Sequence, residues 1–224
     1  MIFCTGFKSD MTGGKALALE TWCRTEARQF TRFDYQGHGA SSGRFEDGTI
    51  GQWREDALAV LDEVTSGPQV VVGSSMGGWI ACLMAIARPE RIRAIVGIAP
   101  AVDFTQALLW PRLDADARRQ IEEEGVWLRP SVYDDGPYPI TKTLIEDGKS
   151  HLLMPGPIPF KGPVRLIHGM QDDAVPWEHS LRIADAMESE DVEIALVKDG
   201  EHRLSRDADL ARLISAVANV VDGD

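Results

Sequence analysis

The stretch VVVGSSMGGWIACLMAIA, residues 70–87, limits what this chain can fold into more than any other part of it. It opens as a β-branched run, passes through Gly73-Ser74-Ser75-Met76-Gly77, and continues as an apolar, alanine-rich segment with helical spacing. The order is strand, sharp turn, helix. The pattern G-x-S-x-G sets Ser75 at the apex, where glycines two residues to either side relieve crowding against the neighbouring chain. Its hydroxyl then stands exposed above a sheet edge. Such a group is a poor nucleophile until a histidine takes its proton, and the helix starting at Met76 offers a free N–H to a developing oxyanion. A plain Gly/Ser turn is the alternative; strand and helix in place together argue for the nucleophile.

Around this centre the chain alternates. Strands are predicted at 1–5, 29–33, 70–72, 92–98, 164–167 and 192–197, and helices at 12–27, 49–64, 76–87, 178–187 and 207–221. The second helix carries Trp53, Ala57, Val60, Leu61 and Val64 on one face. Alternation of this kind predicts an α/β fold, a mostly parallel twisted sheet with its site at the carboxyl ends of the strands. With 224 residues, one domain is expected. Residues 105–160 break the rhythm: the segment is long, charged in places, rich in Trp110, Trp127, Tyr133 and Tyr138, and carries Pro155-Gly156-Pro157. It reads as a lid or cap of short helices and loops inserted between two strands.

Several function classes are disfavoured. A formal net charge of −12 opposes binding to phosphate backbones and anionic lipid surfaces. Cys4, Cys23 and Cys82 are odd in number, well separated and without C-x-x-C, so they predict buried reduced thiols rather than a disulfide framework or zinc site. No basic-plus-apolar leader opens the chain and no apolar run approaches the roughly 18 residues of a bilayer span, which leads to the expectation of a soluble, intracellular protein. Gly14-Lys15 follows a strand as in a phosphate loop, yet that motif wants Gly where Ser9 stands and Ser or Thr where Ala16 stands. Gly37-His38-Gly39 and Gly43 are spaced like a dinucleotide fingerprint, but a loop follows instead of the required helix, so a structured turn is expected.

The remaining chemistry lies at predicted strand ends. Asp172 and Asp173 follow the strand at 164–167, and His202 follows the last one. His179 falls inside a helix, while His202 can swing toward Ser75 as general base and acid. His38 and His168 read as loop-fixing hydrogen-bonders. The spacing to Val175-Pro176 favours Asp172 as the acid that orients the imidazole, with Asp173 as a turn residue; Asp103, ending the previous strand, is a third option. A second oxyanion donor is expected in the loop after the first strand, pairing the Phe7 N–H with that of Met76; ordinary loop packing is the alternative for Phe7.

The blocks FCTGFKSDM (3–11), RFDY (32–35), GSSMGGW (73–79), ARPE (87–90), GPIP (156–159) and HGMQDDAVPW (168–177) together resemble one branch of the α/β-hydrolases, which holds acyl-protein thioesterases and acyl-glucuronide esterases. The resemblance covers nearly the whole chain. It implies a triad of Ser75, Asp172 and His202, oxyanion donors at Phe7 and Met76, and no metal or cofactor. It also implies a small-molecule or acyl-protein ester or thioester as substrate, with the aromatics of 105–160 either lining an acyl pocket or docking the insertion. The branch's transit peptide is absent, so a bacterial cytoplasmic address is expected. Two strands that usually precede residue 1 are also absent, which would leave the strand at 29–33 as a sheet edge and suggests a late start relative to relatives. The resulting expectation is a serine esterase or thioesterase. A peptidase or C–C bond hydrolase with the same triad, or a ligand-binding relative without turnover, are the alternatives.

Overall fold

The computed structural model describes residues 1–130, 136–154 and 156–222. Six parallel strands form the central sheet in the order β2-β1-β3-β4-β7-β8: β1 (Ile2–Cys4), β2 (Thr31–Arg32), β3 (Gln69–Ser74), β4 (Ile92–Ile98), β7 (Val164–Gly169) and β8 (Val192–Val197). A second, antiparallel sheet pairs β5 (Val126–Arg129) with β6 (Tyr138–Thr141).

Period-two alternation decides what each face of the sheet buries. Ile2, Cys4, Val71 and Ile95 point to one side, where they meet Trp53 and Ala57 of α2 (Ile50–Ala59), Trp79, Ile80 and Met84 of α3 (Met76–Ala87), and Ile183 of α6 (Glu178–Ala186). Phe3, Val70, Val72, Ala94 and Val96 point to the other, against Ala16 and Leu19 of α1 (Gly14–Thr25) and Leu213 and Val217 of α7 (Asp207–Asp222). Every residue of α3 from Met76 to Ala85 is buried, as its all-round apolar sequence requires. No described helix is long and apolar enough to cross a membrane.

Register then sets the site. Cys4 lies opposite Gly73, Ser74 opposite Ile98, Ile98 opposite Ile167, and Gly169 opposite Val197. The carboxyl ends of β1, β3, β4, β7 and β8 are therefore level, and the loops leaving them share one rim.

Three elements differ from their sequence expectations. The strand expected at 29–33 keeps only Thr31 and Arg32, which pair with Ile2 and Phe3 of the three-residue β1; it stands at the edge of the sheet, as expected. The helix expected at 49–64 is regular only to Ala59 and continues as one wider turn through Val64. The segment 105–160 is not built of helices and loops alone. Beside α4 (Ala115–Arg119) and α5 (Lys142–Lys149) it holds the β5–β6 pair, whose Val126, Trp127, Tyr138, Ile140 and Thr141 favour a pleated surface. Its Leu109, Leu113, Ala117, Ile121, Ile140 and Ile145 form a core of their own. Tyr133 and Pro155 lie outside the described residues.

Candidate active site

Ser75 has φ 53° and ψ −119°, a conformation that costs a non-glycine residue on the order of 1–3 kcal/mol. Three backbone hydrogen bonds hold it there: its N–H donates to Ile98 O (2.9 Å), and its carbonyl accepts from Gly78 (2.9 Å) and Ala101 (3.0 Å). The flanking glycines are required by close approach. A Cβ at Gly73 would strike the Gly77 carbonyl, and one at Gly77 would strike the Cys4 carbonyl on the neighbouring strand. Between Val70 and Ala85, Ser75 alone is not buried. The elbow thus lifts one hydroxyl out of an otherwise closed core.

The loop after β1 lies directly against it. A Cβ on Gly6 would sit 3.5 Å from Ser75 Cβ. Met76 opens α3, so its N–H has no acceptor within the helix, and among the described residues neither it nor the Phe7 N–H donates a hydrogen bond. The Phe7 ring packs on Phe45 (4.9 Å), Phe104 (5.5 Å), Trp53 (5.8 Å) and Tyr138 (5.8 Å), joining the sheet body to the insertion.

Beyond β7, the structure joins His202 to Asp172 and not to Asp173. His202 Nδ1 lies 2.7 Å from Asp172 Oδ2, while Asp172 Oδ1 accepts from the N–H groups of Ala174 (2.9 Å) and Val175 (2.8 Å). His168 Nε2 stands 3.3 Å from the same Oδ2. Burial would by itself raise the Asp172 pKa, but these hydrogen bonds and the His202 charge together hold the carboxyl well below the usual range. The Asp172 side chain is fully buried and that of His202 is 22 % exposed. With Nδ1 engaged, Nε2 is the nitrogen available to a hydroxyl; among the described residues no hydrogen bond joins it to Ser75 Oγ. The acid and histidine loops are zipped together by Gln171 N–H to Gly200 O (2.9 Å) and by contact between Gly169 and Gly200.

The other candidates are placed elsewhere. Asp173 is exposed. Asp103 is buried and accepts from Leu153 (2.9 Å) and Met154 (2.9 Å), tying the return leg of the insertion to the body. Burial raises its pKa, against the pull of those N–H groups and Arg182. His179 is buried with Nε2 on Val102 O (2.8 Å). His38 bonds to the loop after β1, and His168, on β7 itself, binds Ser180 Oγ (2.7 Å) and Val175 O (3.0 Å). Trp110, Trp127 and Tyr138 pack on the insertion's own core, favouring the docking alternative for these aromatics, although Tyr138 also reaches Phe7. All three cysteines are buried and free. Among the described residues no cluster of three or more His, Cys, Asp or Glu is placed to hold a metal ion. A cleft of about 410 Å³ between Pro157, Arg182 and Met187 contains none of the site residues.

Sequence reasoning missed the braces. Lys15 Nζ donates to the Arg203 carbonyl (2.5 Å), beside His202, across 188 positions. Burial first, then repulsion from Arg203, pushes the Lys15 pKa down to about 8 against the attraction of Asp209. Arg206 clamps the same loop to Asp199 (2.8 Å) and Asp209 (2.8 Å), and Arg112 of the insertion donates to Ala174 O (2.7 Å) on the acid loop. Nothing local marks the Lys15 and Arg112 contacts in the sequence, because their partners are distant backbone carbonyls; the Arg206 pairs lie only three and seven positions away and could have been found from charge spacing.

A nucleophile-elbow turn, an acid loop and a histidine loop on one rim of a parallel sheet covered on both faces define an α/β-hydrolase. A family model described as serine aminopeptidase, S33, matches residues 13–131. The mitochondrial palmitoyl-protein thioesterase ABHD10 of Bos taurus is 43% identical over 225 residues, covering 99% of this chain and 72% of the relative, and that of Homo sapiens is 41% identical over 223 residues. Among solved structures, α/β-hydrolase domain-containing protein 10 from mouse superposes with TM-score 0.91 at 43% identity over 99% of this chain and 88% of that one. A candidate hydrolase from Agrobacterium vitis S4 gives 0.95 at 41% identity, over 98% and 87%. The chain belongs to the ABHD10 family of α/β-hydrolases.

One expectation is corrected by these relatives. The ABHD10 relatives are named as mitochondrial proteins, so the expected bacterial cytoplasmic address does not stand. An address is read from a segment separate from the folded domain, and the domain's composition carries no signal for it.

Proposed function

We propose that this chain hydrolyses carboxylic thioesters and esters through an acyl-enzyme on Ser75, with His202 as general base and acid and Asp172 as its orienting carboxylate. The observation that carries the reading is the 2.7 Å bond from His202 Nδ1 to a buried, ionised Asp172 on the rim above a strained, solvent-reaching serine. Ser75 Oγ attacks the carbonyl carbon as His202 Nε2 takes its proton, and the oxyanion receives the N–H groups of Phe7 and Met76. The C–S or C–O bond then breaks, and His202 returns the proton to the leaving thiolate or alkoxide. Water, deprotonated by the same nitrogen, attacks the acyl carbon and frees Ser75 and a carboxylic acid.

The substrate class follows from the relatives' palmitoyl-protein thioesterase activity and from the apolar wall of Phe7, Phe45 and Phe104. Residues 1–224 act as one domain, with 105–160 as its lid. The S33 family description favours a second reading, aminopeptidase action by the same residues. S-acyl peptides and acyl-CoA, p-nitrophenyl esters of graded chain length, and amino-acid amides separate the two. Thioester and ester turnover that vanishes in Ser75→Ala, together with loss of fluorophosphonate labelling, is expected; amide turnover exceeding both, or retained activity in Ser75→Ala, overturns the reading.

A further inference from the structure

The glycine-rich turn at Gly37-His38-Gly39 finds no use in the mechanism as drawn, yet it lies against the loop that carries Phe7. Ser9 N–H donates to Gly6 O (3.1 Å), closing a four-residue turn, and Lys8 sits inside it at φ 55°, where glycine is the usual occupant. A side chain in that conformation persists only where surrounding bonds over-determine it. Here the bond comes from His38: the Lys8 N–H donates to His38 Nε2 at 3.2 Å.

We propose that His38 is a positioning residue for the oxyanion loop, its buried Nε2 holding the peptide next to Phe7 so that the Phe7 N–H is aimed before substrate arrives. The inference rests on the assignment of Phe7 as an oxyanion donor. His38 is 3 % exposed and boxed by Trp53 (5.0 Å), Phe45 (5.1 Å) and Tyr35 (5.5 Å). Its Nδ1 meets Gln36 O at 3.3 Å, which fixes the proton there and leaves a lone pair on Nε2 for Lys8. Burial lowers the His38 pKa against the opposing pull of Gln36 O, Asp34 and Asp56, and the neutral ring is the one form able to accept.

The rest of the motif serves the same loop. Asp34 Oδ1 accepts from Met11 N–H (2.7 Å) and Oδ2 from Ala40 N–H (2.9 Å), while Arg32 Nη1 donates to Met11 O (3.0 Å). Gly39, at φ 47°, lets the chain pass the Asp34 carboxylate, which any Cβ there would strike. Gly37, at φ 76°, has the Arg44 carbonyl 2.7 Å from where a Cβ would be. Residues 32–43 thus form a mould for residues 6–11.

The test compares His38→Phe, which keeps a ring but has no acceptor, with His38→Gln, whose Oε1 can replace Nε2. Loss of an aimed oxyanion donor lowers kcat and leaves KM nearly unchanged, so His38→Phe is expected to lose about 10- to 100-fold in kcat with KM within about threefold. His38→Gln is expected to recover most of it. A boronic acid that mimics the tetrahedral intermediate should weaken by the same factor as kcat/KM, which a merely structural role would not produce. Should His38→Phe fail to fold, His38→Leu against His38→Gln carries the same comparison. Unchanged kcat in the acceptor-less variant, no advantage of Gln at equal Tm, or unchanged boronate affinity overturns the inference. Absence of wild-type turnover and Ser75 labelling would instead bring down the hydrolase reading beneath it.

Discussion

Asp172 and Asp173 are adjacent copies of one side chain in opposite surroundings: the first is buried under two backbone N–H groups and two imidazoles, the second is exposed. The prediction follows from that contrast. Asp172→Asn removes the charge that fixes the His202 tautomer and should cost about 10³- to 10⁴-fold in kcat, while Asp173→Asn should stay within about twofold; steady-state kinetics on one thioester decides. A comparable loss in Asp173→Asn would mean that the wrong carboxylate has been assigned. The turn at Ser75 was legible because its constraint is local: it demands glycine at 73 and 77 whatever the rest of the chain does. Between the two aspartates the spacing to Val175-Pro176 gave only a preference, since what separates them is an imidazole 30 positions away.

Elements reach the site through contacts of two kinds. Where backbone meets backbone, substitution is costly. In Gly77→Ala the new methyl would press the Cys4 carbonyl, and a loss of about 2–3 kcal/mol, or on the order of 5–10 °C in Tm, is expected by thermal melting. Gly14→Ala, on α1 with open space around it, should be neutral or raise Tm slightly. Where a side chain braces a loop, the effect should fall on rate. Lys15→Met frees the Arg203 carbonyl and should lower kcat about 10- to 100-fold with little change in Tm, while Lys15→Arg keeps a donor and most of the rate. Equal kcat in Lys15→Met would show that the histidine loop holds itself. The strands at 92–98 and 192–197 were legible to the residue for different reasons: the first is a largely apolar run buried in the sheet interior, while the second, an edge strand exposed over much of its length, sets Val192 and Ile194 on the half-buried side with Glu193 between them in solvent. The β5–β6 pair was not, because short pleated segments inside a charged insertion lack the surrounding alternation. The strand at 29–33 was overestimated because its one partner in the sheet, β1, is itself only Ile2–Cys4 and pairs it at two positions.

For the whole molecule, stability should depend on buried imidazoles. Burial, the largest cause, together with the positive charges of Arg182 and Arg112, lowers the His179 pKa to about 4 from an ordinary 6.5, against the opposing pull of its bond to Val102 O. Between those values the unfolded chain binds a proton that the folded chain refuses, so stability rises with pH through this window and falls as pH drops from 6.5 toward 4. His179→Gln should flatten that limb of a Tm-against-pH curve, even if it lowers Tm at neutral pH; an unchanged slope would place the acid sensitivity elsewhere. The fold class and the rim that gathers the site were both readable from alternating strands and helices, whereas the compartment was not, since nothing in a folded core encodes it. The central claim, that acyl transfer passes through Ser75, is tested most directly by quenching turnover of a long-chain S-acyl peptide in acid and mapping the acyl mass by peptide sequencing. The account predicts the adduct on Ser75 and nowhere else. An adduct on a cysteine peptide, or steady turnover with no adduct at any residue, would contradict it.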